Sequence, residues 1–175
     1  MITLLSDEKT YEITQDISEK FSQTINTKHF PLQNFDIKPC YGCGGCEKKT
    51  YLRCIVRDDL DLIMPYLVRS DTIVIVTYIT YGSYSFQIKR ILDKFAPLTV
   101  GIHYGYNKGE LVKGIHSTGP PLYVIGIHDN TDQAEIQVFE HLVLETLNIA
   151  SWDGKPIIIS LDSFDLKNIM REIVI

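Results

Sequence analysis

All four cysteines of the chain fall in one window: Cys40, Cys43 and Cys46 inside Pro39-Cys40-Tyr41-Gly42-Cys43-Gly44-Gly45-Cys46, and Cys54 shortly after. Cysteines used as small hydrophobes scatter through the buried elements, so this grouping points to joint action. The spacing is Cys-x2-Cys-x2-Cys-x7-Cys. A zinc knuckle brings two separate Cys-x2-Cys pairs to a tetrahedron. Three cysteines in one continuous run instead suit a cubane cluster, in which each thiolate takes a different iron. Thiolates serve iron–sulfur clusters and zinc alike, and Gly42, Gly44 and Gly45 let the backbone wrap a ligand closely. The residues leave three states open: a 4Fe–4S cluster held by Cys40, Cys43, Cys46 and Cys54, a zinc ion, or a reduced loop without metal.

Two further stretches carry candidate binding residues. Thr77-Tyr78-Ile79-Thr80-Tyr81-Gly82-Ser83 follows a β-branched run and precedes a helical pattern. A planar ring system fits there, with backbone amides along one edge and aromatic side chains against a face. Gly82 permits close backbone approach, and Ser83 is placed to cap the helix or bond a ligand. Ser6-Asp7-Glu8-Lys9-Thr10 lies between a first apolar run and a first helix. Such a helix start offers free N–H groups to a phosphate. Lys9 and the hydroxyls of Ser6 and Thr10 favour an anion. Ser6 is placed to cap the helix, while Asp7 and Glu8 already bring negative charge to its first turn. The expectation is a weakened phosphate site. His128 ends a strand pattern and joins the candidates. His103, His116, Tyr104 and Tyr106 lie in a Gly- and Tyr-rich excursion, with the tyrosines suited to covering a ligand or filling a subunit interface. Asp58 and Asp59 read as helix caps. There is no GxGxxG, so a Rossmann nicotinamide site has no support.

The elements that must position these residues alternate. Short apolar runs at 2–5, 73–76, 122–127 and 157–159, with a weaker one at 35–38, read as strands. Apolar residues at helical spacing fill the gaps: Ile13, Ile17, Phe21 and Ile25; Leu60, Ile63 and Leu67, with Pro65 inside the pattern; Tyr84, Ile88 and Ile91; Ile136, Phe139 and Val143; Leu166, Ile169 and Ile173. Residues 101–121 read as irregular. Five strands alternating with five helices predict a doubly wound, five-stranded parallel sheet of flavodoxin-like order 2-1-3-4-5. All the candidate loops follow strand ends, and in such a sheet they share the ligand-binding edge.

Composition sets the outer bounds. With 175 residues, 45% apolar and 22% charged, the chain reads as one ordinary α/β domain over 1–175. The formal net charge of −5 argues against a nucleic-acid partner. No apolar run is long enough to span a membrane, and the first residues lack a secretory signal. The expected setting is cytoplasmic and reducing, which makes disulfides the least favoured use of the thiols.

Taken together, Pro39-Cys-x2-Cys-x2-Cys, Cys54-Ile-Val-Arg-Asp-Asp-Leu, Ser70-Asp-Thr-Ile-Val-Ile-Val-Thr, Tyr81-Gly-Ser-Tyr-Ser and Lys89-Arg-Ile-Leu-Asp-Lys resemble the NADPH-dependent FMN reductase family. More narrowly, they resemble its branch of iron–sulfur flavoproteins. The resemblance is dense from residue 39 to about 98 and thinner to about 159. It implies bound FMN, homodimers or larger homo-oligomers, and electron transfer between a donor and an acceptor, small molecule or protein. It also implies a flavin ring lined by 77–83 and a cluster on the four cysteines. Two departures stand out: Tyr78 and Thr80 replace residues typical of the flavin wall, and the usual Gly-Ser-Pro-Arg phosphate loop is here Ser6-Asp7-Glu8-Lys9-Thr10. A flavin-free module whose cysteine loop binds metal or senses redox state is the competing class.

Overall fold

Ile73, Val74, Ile75 and Val76 form the centre of the molecule, each fully buried. Successive side chains of a strand point to opposite faces, and here each face has its own core. Ile73 and Ile75 pack with Ile63, Leu67, Ile88, Ile91, Phe139 and Val143. Val74 and Val76 pack with Ile17, Phe21 and Ile169 on the other side. A continuous β-branched run covered on both faces is what a central parallel strand requires.

The computed structural model describes residues 1–50, 53–98, 102–107, 110–115, 119–129 and 131–173. Its main sheet is built from β1 (Ile2–Ser6), β2 (Thr27–Pro31), β3 (Thr72–Tyr78), β6 (Leu122–His128) and β7 (Gly154–Ser160). All neighbours pair in parallel, in the order β2-β1-β3-β6-β7. Counting these strands alone, that is the expected flavodoxin-like order 2-1-3-4-5. Helices α1 (Tyr11–Ser22) and α6 (Leu166–Glu172) cover one face. Helices α3 (Leu60–Arg69), α4 (Phe86–Leu92) and α5 (Gln133–Ala150) cover the other. A one-turn α2 (Gly45–Lys48) lies within the cysteine loop. Among the described residues, no helix is long and apolar enough to cross a membrane.

Two sequence expectations are corrected. The second strand is Thr27–Pro31, not 35–38. As an edge strand it pairs only with β1, so it needs no apolar run and tolerates Pro31. Residues 35–38 form a strap outside the sheet. The excursion after α4 also contains an antiparallel pair, β4 (Ile102–Asn107) and β5 (Glu110–Ile115). Gly105 and Gly114 interrupt its alternation, and glycine inside a strand weakens the sequence signal. His103, Tyr104 and Tyr106 belong to β4, whereas His116, Gly101 and Gly109 lie outside the described residues. Helix α3 runs through Pro65 on its exposed side, where a carbonyl left without its helical partner faces no burial penalty.

Candidate functional site at the sheet edge

The chain reverses direction across the sheet between β1 and β3, and in an open parallel sheet ligands bind at that crevice. Here a buried carboxylate bridges the two strand ends. Asp7, at the end of β1, is 1% exposed. Its Oδ1 accepts from the amide of Thr10 at 3.0 Å. Its Oδ2 accepts from the Thr77 hydroxyl and the Tyr78 amide, both at 2.9 Å. The Thr10 hydroxyl lies 3.0 Å from Oδ1 and 2.9 Å from the Val76 carbonyl, and its one proton serves either. The Thr77 hydroxyl in turn accepts the Ser85 amide at 3.1 Å, just before α4. Asp7, not Ser6, is the cap of the first helical turn.

The other residues of that loop have partners within the chain. Ser6, fully buried, places its hydroxyl 2.8 Å from His29 Nε2 on the neighbouring strand. The Glu8 amide donates to Gln87 Oε1 of α4 at 3.0 Å, a second tie across the crevice. Lys9 sets its ammonium 4.3 Å from the centroid of the Tyr78 ring, a cation–π pair. The Ser6 hydroxyl and the Glu8 and Thr10 amides therefore already have partners, and a phosphate at this helix start would meet the buried Asp7 carboxylate where it needs donors.

Beyond Tyr78 the chain makes a tight turn. Thr80 and Ser83 exchange both backbone hydrogen bonds at 3.0 Å. Tyr81 and Gly82 have φ of 51° and 69°, the two positive values of a type I′ turn. Tyr81 projects into solvent, 90% exposed. The Ile79 amide is held by the Ile127 carbonyl at 2.8 Å. The cap of α4 is Ser85, whose hydroxyl accepts from Ile88, while Ser83 closes the turn. A Cβ at Gly82 would lie 3.0 Å from Val138 Cγ1 and 3.3 Å from the Glu135 carbonyl. A bulky residue there perturbs α5 packing before it reaches any ligand. His128 ends β6 with a buried Nδ1 that has no hydrogen-bond partner. Such an orphan at the edge is a ready contact for a polar ligand atom.

The four cysteines form a separate centre. Cys40, Cys43, Cys46 and Cys54 line one cavity of about 30 Å³, walled also by Tyr41, Ile55, Val56 and Lys94. None is in a disulfide. Gly42 and Gly44 both adopt φ of 62°, which glycine takes without strain, and the Gly42 amide donates to Cys40 Sγ at 3.5 Å. Among the described residues, no three metal-ligating side chains are drawn to chelating distance. The donor set fits a thiolate-bound metal or cluster, and the loop must open around a cubane, since the cavity holds about a water or two.

Side chains far along the chain fix the strap that leads into this loop. Asp58 Oδ2 accepts the Lys38 amide at 2.9 Å, and Asp59 Oδ2 the Asp36 amide at 2.8 Å. Asp58 Oδ1 also caps α3 through the Leu60 amide at 3.1 Å. Arg90 reaches the Ile37 carbonyl at 3.5 Å. Beneath them Lys94 and Asp58 form an ion pair with side chains 1% and 2% exposed. Of the two expected caps, Asp58 bonds the first amide of α3, whereas Asp59 sits at the N-cap position but gives its side chain to the Asp36 amide instead. The cysteine cavity shares no wall residue with the turn at 77–83.

His29, which the sequence reading did not single out, ties β2 to this edge. Its ring stacks on Tyr11 at 5.9 Å, and burial pushes its pKa below the usual 6.5. The fold favours the neutral ring, so near and below that value the unfolded chain binds the proton more readily. Stability from His29 is complete above pH 6.5 and is lost as pH falls through the folded value. Thermal melts should show the midpoint dropping on acidification from about pH 7.5 to about pH 5.5, with a shallower drop in His29→Gln. An equal drop in both proteins assigns the effect to other groups.

The comparisons with known proteins agree with the fold and with part of the sequence. No family model matches the chain. An iron-sulfur flavoprotein of Methanocaldococcus jannaschii is 30% identical over 77 residues, 44% of this chain and 39% of that protein. An iron-sulfur flavoprotein of Archaeoglobus fulgidus is 31% identical over 87 residues, 50% of this chain and 43% of that one. The matched stretches thus span less than half the length of these curated relatives. Among solved structures, an NAD(P)H:quinone oxidoreductase from Methanothermobacter marburgensis superposes with a TM-score of 0.66 at 13% identity, covering 98% of this chain and 95% of that one. An azoreductase from Bacillus anthracis gives a TM-score of 0.61 at 11% identity, covering 91% and 86%. At such identities the likeness is one of fold, and it is flavodoxin-like. The resemblance to iron–sulfur flavoproteins read from the motifs is borne out as sequence similarity.

Proposed function

We propose that this chain is a flavoprotein oxidoreductase, similar to NAD(P)H-dependent FMN reductases, that passes electrons between a reduced donor and an acceptor in the cytoplasm. FMN is the cofactor that the relatives suggest, and a 4Fe–4S cluster on Cys40, Cys43, Cys46 and Cys54 is the second redox centre. The observation that carries the reading is four thiols around one cavity in a flavodoxin-like chain whose sequence matches iron–sulfur flavoproteins. A flavin supplies the redox chemistry when bound, and the chain supplies position and electrostatics. In this reading the Tyr81 ring, 90% exposed, covers a flavin face, and the unpartnered His128 Nδ1 meets a polar atom of its edge. A homo-oligomer would cover Tyr81 and Phe86, which are 90% and 65% exposed.

The flavin-free alternative, a four-cysteine module that holds metal or senses redox state, draws on one observation: Asp7 takes donors that a flavin phosphate would use. An absorption spectrum of protein purified without air separates the two. Flavin bands above a broad cluster absorption are expected. A colourless protein that takes up neither FMN nor riboflavin sinks the flavin reading in favour of the module.

A further inference from the structure

We infer that Asp7 is a built-in stand-in for a ligand phosphate, so that the crevice between β1 and β3 takes a flavin by its ring and does not read its phosphate. The ligand's identity rests on the flavin reading above; the occupation of the anion position by Asp7 does not.

An anion at this switch point is held by N–H groups of the helix start and by polar groups at the end of the neighbouring strand. Three such donors are present and point at Asp7. The Thr10 amide, the Thr77 hydroxyl and the Tyr78 amide lie 2.9–3.0 Å from the two carboxylate oxygens, with the Thr10 hydroxyl within reach as well. Carboxylate and phosphate oxygens seek the same donors at the same distances, so a second anion would find these three already taken. It would also meet a buried negative charge at close range, where water screens little.

The surroundings agree. Lys9, the cation nearest in sequence, lies over the Tyr78 ring, and the Glu8 amide is taken by Gln87. Residues 6–10 contain no glycine that would let backbone approach a dianion. The acidic loop that the sequence presents as a source of exposed repulsion is in its first member, Asp7, a filled site. On the flavin reading, the part of the ligand recognised is the uncharged isoalloxazine, so lumiflavin, riboflavin and FMN should bind alike.

Calorimetric titration of the intact protein compares riboflavin with FMN at low and moderate salt. The expected dissociation constants agree within about threefold and respond weakly to salt. Preference for FMN by about 100-fold or more overturns the inference. The second arm needs no flavin and uses inorganic phosphate against chloride at matched ionic strength. The melting temperature of the unmodified protein should not respond. Asp7→Ser, which vacates the position, should gain a saturable rise with phosphate, or fold only in its presence. A folded Asp7→Ser indifferent to phosphate, or a saturable rise in the unmodified protein, overturns the stand-in even where flavin binds. A protein that binds no flavin but shows the expected phosphate pattern refutes the flavin reading and leaves Asp7's role standing.

Discussion

Lys94→Met is expected to lower the unfolding free energy by about 3–5 kcal/mol, because it strips the partner from a buried carboxylate. Lys94 and Asp58 meet with side chains 1% and 2% exposed, so water cannot replace the lost ammonium. Asp58 would keep the Lys38 and Leu60 amides as donors, which places the expected loss toward the lower end. The loss should show as a shifted urea midpoint with an unchanged m-value. Asp58→Asn combined with Lys94→Met removes both charges while an acceptor for the Lys38 amide remains, and should recover half or more of the loss. A single variant within about 1 kcal/mol of the parent would mean that the pair is solvated and holds nothing in place. The consequence reaches the cysteines, because Asp58 pins the strap at 36–38 and Lys94 walls their cavity. A cation at that wall suits ligands that must be anionic to bind metal. The same variant should accept iron more slowly on reconstitution.

The interior of the sheet was legible because its signal is local. Four β-branched residues from Ile73 to Val76 state both that a strand forms and that both its faces are covered, and the two cores divide them alternately. The strand order followed from right-handed crossovers. The edge strand was not legible, since Thr27–Pro31 needs one partner and no core of its own. Phe35 and Ile37 instead carry the alternation of a strand while packing from the strap onto the core.

The site divides in the same way. The cysteine spacing is written within fifteen residues, and the four thiols share one cavity. The role of Asp7 is written nowhere near it. Two of its donors, Thr77 and Tyr78, lie 70 and 71 positions away. From sequence, an acidic residue at a helix start reads as exposed and dipole-facing; only the fold reveals that a second strand end completes a cradle around it. The pairing of Lys94 with Asp58, 36 positions apart, was hidden for the same reason.

Serine at any one of Cys40, Cys43, Cys46 or Cys54 is expected to remove most of the cluster iron from anaerobically reconstituted protein. A cubane gives each thiolate its own iron, and a serine hydroxyl is a harder, far less acidic ligand. The four thiols already ring one cavity, and left-handed Gly42 and Gly44 turn the chain around it. Losing one corner therefore destabilises the cluster as a whole without unfolding the loop. Cys40 and Cys43 are exposed and Cys46 and Cys54 only half-buried, so each change should leave metal-free stability within about 0.5–1 kcal/mol of the parent. That separation makes the outcome readable: iron and sulfide should fall together in all four variants while the metal-free melts coincide. Reconstituted parent protein should carry iron and sulfide in equal amounts. Stoichiometric zinc without iron after air-free purification would refute the cluster and give the loop a structural metal. Four variants that each keep the parent's full iron content would show that the iron is bound elsewhere and that the thiols do not act as a set.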